Sequence, residues 1–210
     1  MIADPLASLR AALLQRPVLL FIAGPNGAGK TTFFEHYVEP LGLPYVNADR
    51  VARVLRDAEP RLAQDALDRR AFTDAERLRD TLVETRTSFC TETVFSDPVG
   101  AKVAFLERAR AAGYVTTLVF IGLATVDLSV MRVVQRVRQG GHDVPDAKLR
   151  ERFPRTIANL RAAVPVVDEA YVLDNSTYAT PYRVLAIYRG GRLQSRHPPL
   201  PTWASGLPGL

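Results

Sequence analysis

Val18-Leu-Leu-Phe-Ile-Ala23, running directly into Gly24-Pro-Asn-Gly-Ala-Gly29-Lys30-Thr31-Thr32, decides the fold. The first part is a continuous apolar run between Pro17 and Gly24, the pattern of a strand buried on both faces of a parallel sheet. The part from Gly24 to Thr31 fits GxxxxGK[ST], and a helical pattern follows it. Strand, loop and helix in that order are the context this motif needs. Its glycines let backbone N–H groups turn inward around an anion, and the helix adds the partial positive charge of its N-terminus. Gly24, Pro25, Asn26, Gly27, Ala28 and Gly29 therefore read as a cradle for the phosphates of a nucleoside triphosphate. Lys30 would reach the β- and γ-phosphates, Thr31 would set its hydroxyl on Mg2+, and Thr32 would contact the α-phosphate.

Further apolar runs recur outward from this point: Tyr45-Val-Asn47, Phe89-Cys-Thr-Glu-Thr-Val-Phe95, Tyr114-Val-Thr-Thr-Leu-Val-Phe-Ile121 and Ala170-Tyr-Val-Leu173. Between them the period becomes helical. Leu6, Leu9 and Leu13 predict an N-terminal helix over 1–16, and Thr73-Asp-Ala-Glu76 reads as a capping box opening a helix with Leu78 and Leu82 on one face. Core-facing stripes are expected at Val99, Val103 and Leu106, at Val130, Val133, Val134 and Val137, and at Leu149, Phe153, Ile157, Leu160 and Val164. Alternating strands and helices predict an α/β fold of P-loop NTPase type, one domain over 1–210 with a mainly parallel sheet flanked by helices. After Ser176 the grammar changes to a C-terminal β-hairpin, Tyr182 to Tyr188 and back from Leu193, turned by Gly190-Gly191. Residues 197–210, with four prolines and two glycines, are expected to be loosely ordered.

At 210 residues, 47% hydrophobic and 23% charged, the chain is long enough for one sizeable core. It has no apolar stretch near the roughly 18 residues that span a bilayer and no signal-peptide pattern, so no membrane is expected and the cytoplasm is the expected compartment. Cys90 is the single cysteine and reads as a buried thiol. The net charge of +5 raises the question of a nucleic-acid partner, but bases and acids interleave, as in Arg50-Val-Ala-Arg53-Val-Leu-Arg56-Asp57. That is the pattern of solvated helix faces, and nucleic acid is not the expected partner. The run Thr117-Leu-Val-Phe-Ile-Gly-Leu-Ala124 ends without the acid of a Walker B motif and there is no Asn-Lys-x-Asp, which argues against a motor ATPase or a GTPase.

Asp49 follows the second strand, where the sheet's carboxyl edge would bring it beside an acceptor. It reads either as a general base for the acceptor hydroxyl or as the N-cap of the next helix. Glu92 and Thr93 lie inside an otherwise apolar strand; a buried carboxylate needs a partner, so Glu92 either faces the acceptor or Mg2+-bound water or pairs with an internal arginine. Arg132 and Arg136, then Gly140 to Pro145, then Arg152, Arg155 and Asn159, outline a lid over 136–156 whose arginines would neutralise the transferring phosphoryl group. Pro154 falls inside that last helix and should kink it. The residues also leave open a nucleotide-dependent regulatory or interaction module, and a polynucleotide kinase-like enzyme.

Gly24 to Thr32, Asn47-Ala-Asp49, Glu92-Thr93-Val-Phe-Ser96, Arg136-Val-Arg-Gln-Gly-Gly-His-Asp-Val-Pro145, Arg152-Phe-Pro-Arg155 and Asp174-Asn-Ser176 together resemble the zeta-toxin family of P-loop kinases, in its chromosomal branch, over residues 17–176. The resemblance implies ATP or GTP with Mg2+, Asp49 as the base, and lid arginines at Arg136, Arg152 and Arg155. It further implies a UDP-sugar acceptor, UDP-N-acetylglucosamine in the toxins, and an antitoxin protein as partner.

Overall fold

A computed structural model describes residues 12–13, 15–140 and 143–210. The helix expected over 1–16 lies mostly outside the described residues; Ala12 and Leu13 are helical. Strand β1, Val18–Ala23, leads into helix α1, Lys30–Phe33, which continues as a π-helical turn, Phe34–Val38, and a 3-10 turn, Glu39–Leu41. The short β2, Tyr45–Val46, is followed by α2, Ala48–Ala58, and α3, Gln64–Glu84. Then come β3, Phe89–Thr93, α4, Ala101–Ala111, β4, Val115–Gly122, α5, Val126–Arg138, and α6, Asp146–Ala163. Strands β5, Glu169–Asp174, β6, Arg183–Arg189, and β7, Arg192–Arg196, and a 3-10 turn, Thr202–Gly206, complete the described chain.

The sheet order is β2-β3-β1-β4-β5-β6-β7. The first five strands are parallel and the last two antiparallel, so the α/β architecture and the C-terminal hairpin are both present. Gly190 and Gly191, at φ 52° and 74°, make the two-residue hairpin turn that only a pair of left-handed residues closes without strain. Strand β1 is buried throughout and sends Leu19, Phe21 and Ala23 into one core, under α4 and α6. Val18, Leu20 and Ile22 go into the other, with Phe33, Phe34 and Val38 after the loop. Burial on both faces places the β1–α1 loop at the carboxyl edge of the middle of the sheet.

Four expectations are corrected. Thr73 to Glu76 does not open a helix: α3 begins at Gln64, Thr73 donates to the Arg69 carbonyl one turn back, and Glu76 pairs with the buried Arg79 and Lys102. Val99 precedes α4 and is 83% exposed. In α5 the buried residues are Ser129 and Val133, while Val134 is exposed, because this helix lies on the β1–α1 loop and turns a partly polar face toward it. The tail is not loose. Trp203, Ala204 and Leu207 are buried in the core, and the Trp203 ring fills the space over Gly122, where a Cβ would lie 2.2 Å from it. The helix α6 runs through Pro154 with Leu149, Ile157, Leu160 and Val164 buried as expected.

Candidate functional site

Gly24 leaves β1 at φ 148°, and a Cβ there would lie 2.1 Å from the Ile121 carbonyl oxygen, so glycine alone lets the loop start this close to β4. Gly29, at φ 86°, turns the chain into α1. Lys30 is buried, and its Nζ donates to the Pro25 carbonyl at 3.0 Å, across the mouth of the loop. Burial pulls the Lys30 pKa below its ordinary value; the Glu92 and Asp49 carboxylates push it back up, and the Arg136 guanidinium lowers it. Four residues far apart in sequence, Lys30, Asp49, Glu92 and Arg136, thus share one electrostatic environment.

The Thr31 hydroxyl donates to the Glu92 carboxylate, at 3.2 Å to Oε1 and 3.1 Å to Oε2. Glu92 also accepts from the Tyr45 hydroxyl, and the Asn47 side-chain amide donates to that hydroxyl at 3.1 Å. Burial first, then the Glu92 charge, hold the Tyr45 pKa well above the usual phenol value, so Tyr45 remains a donor to the carboxylate. Its ring stacks on Phe34 at 3.6 Å between centroids, with the Arg50 guanidinium 4.6 Å from the Tyr45 ring centroid. Of the two alternatives for Glu92, the structure places it on the loop threonine; the internal arginine, Arg79, pairs with Glu76 and Thr91 on the other face.

Asn47, not Asp49, caps α2. Its Oδ1 accepts the N–H groups of Asp49 at 2.7 Å and Arg50 at 3.3 Å. Asp49 is the second residue of the helix, and its side chain is exposed. The capping alternative for Asp49 is thereby removed, and its carboxylate acts on Lys30, favouring the charged ammonium.

Thr93 is half-buried, and its hydroxyl accepts the Phe95 N–H at 3.3 Å, shaping the turn after β3. On α6, the Thr156 hydroxyl donates to the Val94 carbonyl and the Asn159 amide to the Phe95 and Asp97 carbonyls. Arg152 and Arg155 lie one turn before these anchors and so on the same helix face, toward the end of β3. Arg155 is paired with Glu151 at 3.0 Å, while the Arg152 guanidinium has no hydrogen bond or ion pair among the described residues. Gly141 and His142, in the expected lid corner, lie outside the described residues.

The donors beside Thr31 suit Mg2+: a hydroxyl and a carboxylate are hard oxygen ligands, and this ion takes one or two such groups together with phosphate and water. Among the described residues no group of three or more His, Cys, Asp or Glu could hold a metal ion alone, so a cation here would depend on the phosphates. No helix among them is long and apolar enough to cross a membrane.

Sequence reasoning missed the loop's supporting residues. The Ser129 hydroxyl donates to the Asn26 carbonyl at 2.7 Å, Asn175 Nδ2 to Ala28 at 2.8 Å, the Tyr182 hydroxyl to Gly29 at 2.9 Å, and Arg132 Nη1 to Gly27 at 3.4 Å. Asn47 was missed as the cap in favour of Asp49, although asparagine just before a helix is a capping signal that could have found it; the others lie 103 to 153 residues from their partners and leave no local trace.

The chain is similar to an uncharacterised protein of Haemophilus influenzae, 24% identical over 134 residues that make up 64% of this chain and 91% of the relative. Among solved structures it is similar to AvrRxo1-ORF1 in complex with AvrRxo1-ORF2, with a TM-score of 0.70 and 17% identity; the alignment covers 93% of this chain but 65% of that one, just under two thirds of its length. It is also similar to the PezAT chromosomal toxin-antitoxin system of Streptococcus pneumoniae, with a TM-score of 0.58 and 14% identity, covering 83% and 78% of the two chains. At these identities the structural likenesses establish the fold. The family model for Zeta toxin matches residues 8–192, nearly the whole sheet with its flanking helices, and by that match the chain belongs to the Zeta toxin family.

Proposed function

We propose that this protein transfers the γ-phosphoryl group of ATP or GTP, with Mg2+, to a hydroxyl of a small acceptor, with UDP-N-acetylglucosamine the first candidate. The observation that carries the reading is the phosphate loop itself, with Lys30 bonded across it to the Pro25 carbonyl and the Thr31 hydroxyl on Glu92, while the Asp49 and Arg136 charges act on the Lys30 ammonium. A basic group to hold polyphosphate and an exposed carboxylate beside it are the two things a phosphoryl transfer to an alcohol needs. Family membership supports nucleotide-dependent kinase chemistry, and a structure similar to this chain, AvrRxo1-ORF1 with AvrRxo1-ORF2, is described with ATP.

In this reading Asp49 accepts the acceptor hydroxyl's proton as that oxygen attacks the γ-phosphorus. The bond to the β–γ bridging oxygen breaks, and the nucleoside diphosphate leaves with its electron pair. Lys30 and Arg136 take up the negative charge that moves onto the phosphoryl and leaving oxygens, and Arg152 and Arg155 approach from α6. When bound beside Thr31 and Glu92, Mg2+ supplies further charge neutralisation at the β- and γ-phosphates. Thr93 contributes to the acceptor side through the turn it shapes. The expected compartment is the cytoplasm, where nucleotide is supplied, and the likeness to the PezAT toxin-antitoxin system supports an antitoxin-like protein partner.

The test is incubation of the full chain with ATP, Mg2+ and a panel of UDP-sugars, with Asp49→Asn alongside. Phosphorylated sugar nucleotide from the wild type alone is the expected result. Nucleotide binding with no transfer to any acceptor would favour a regulatory module instead.

A further inference from the structure

The carbonyls of Asn26, Gly27, Ala28 and Gly29 each accept a hydrogen bond from a side chain outside the loop. Two of the donors, Ser129 and Arg132, come from α5, and two, Asn175 and Tyr182, from the β5–β6 connection. In a trans peptide the carbonyl and the next residue's N–H point in opposite directions. Holding successive carbonyls from outside therefore turns the N–H groups that follow them to the other side, toward the space closed by Lys30 Nζ and Pro25; the Ala28 N–H reaches the Pro25 carbonyl at 3.3 Å, and the Gly29 carbonyl also accepts the Phe33 N–H at 2.9 Å.

The donors are themselves fixed. Asn175 Oδ1 accepts the Tyr182 N–H at 3.3 Å, so one side chain binds both the loop and the neighbouring donor. Tyr182 sits at φ 52°, a left-handed conformation that is strained for a tyrosine and persists only where its surroundings impose it. Arg132 reaches back from Gly27 to the Ser176 carbonyl at 3.4 Å, joining the two supports. The fit leaves no slack: a Cβ on Gly29 would lie 2.7 Å from Asn175 Nδ2, and one on Gly27 2.9 Å from Arg132 Cβ.

We infer that Ser129, Arg132, Asn175 and Tyr182 are positioning residues that preset the loop's N–H groups for polyphosphate before any ligand arrives. Their role is exerted through the loop's carbonyls, which they keep from turning inward, where they would repel the anion. Preorganised dipoles need no reorganisation on binding, and the effect is felt in affinity for the phosphate chain whatever base is attached to it. This inference rests on the loop being a phosphate site, as proposed above.

The experiment measures dissociation constants for inorganic tripolyphosphate and for a non-hydrolysable ATP analogue in Ser129→Ala, Tyr182→Phe and the double variant, by calorimetry on the full chain. Tyr188→Phe is the control, since that hydroxyl is buried with no hydrogen-bond partner. Each single change removes one neutral hydrogen bond and should weaken both ligands about 3- to 10-fold. The double change should weaken them further, with the nucleotide KM rising by the same factor as the dissociation constant and kcat falling less. Thermal unfolding of the empty variants should fall below the control only by the small shift that a lost neutral hydrogen bond produces. A loss confined to the ATP analogue, or unchanged tripolyphosphate affinity in the double variant, overturns the inference while leaving the kinase reading intact. A wild-type chain that binds neither ligand sinks the phosphate-site reading, and the inference with it.

Discussion

Replacing Asp49 by Asn separates chemistry from folding at one position, because the structure assigns the capping of α2 to Asn47. Asp49 lies in the first helical turn, where a carboxylate contributes about 0.3–1 kcal/mol through the helix dipole when exposed. The substitution keeps size and polarity, so its effect on Tm should not exceed the roughly 2–4 °C that 1 kcal/mol produces in a domain of this size. Losing a general base should cost about 10²- to 10⁴-fold in kcat, or about 3–5 kcal/mol of barrier. Asn47→Ala should behave in the opposite sense, losing about 0.5–2 kcal/mol of stability through the cap. The assay is nucleoside diphosphate release in the presence of the UDP-sugar that the wild type phosphorylates, with a fluorescent nucleotide titration and a thermal melt on the same preparations. If Asp49→Asn retains wild-type kcat, or loses activity only in step with its melting temperature, the carboxylate is not the base.

Two further outcomes are expected. Lys30→Met should abolish nucleotide binding without lowering the Tm of the empty protein at neutral pH, since burial already disfavours the charged ammonium. With the folded Lys30 pKa below its ordinary 10.5, the unfolded chain binds the extra proton more tightly between those two values. Wild-type stability should therefore gain on Lys30→Met as pH rises through that window; melts across alkaline pH check this, and a gap that does not move with pH counts against it. Trp203→Ala should destabilise the fold by about 3–5 kcal/mol, nearer the lower figure because the buried indole N–H has no partner to lose. Urea unfolding measures it, and a change under about 1 kcal/mol would mean the tail does not anchor on β4.

The phosphate loop and the strands around it were legible because each is a local signal: an apolar run, a glycine spacing, a helical period. Local signals fail where a helix packs on something other than the sheet. The valines of α5 have the right period, yet the face that meets the loop is displaced by one residue, to Ser129, Arg132, Val133 and Arg136, since the surface beneath is a row of carbonyls. Thr73 to Glu76 has the spacing of a capping box, but Glu76 is spent on Arg79 and Lys102, and no local rule distinguishes that use. The tail's prolines and glycines hid Trp203, whose place is set by the missing side chain at Gly122, 81 positions earlier by number. Asp49 and Glu92 were visible as acids out of place; that Tyr45 and Asn47 tie them together needed the sheet register, which sets Tyr45 against Cys90.

The bond from Lys30 to the Pro25 carbonyl bears on how the site would empty and refill. An arriving anion takes the ammonium away from a neutral oxygen instead of from bulk water, so the affinity gained through that contact is the difference between two partners. When the product departs, the cation has a nearby resting place inside the protein. The contact with the Pro25 carbonyl is then restored by one short swing of a side chain, and successive turnovers would meet a receptor of constant shape.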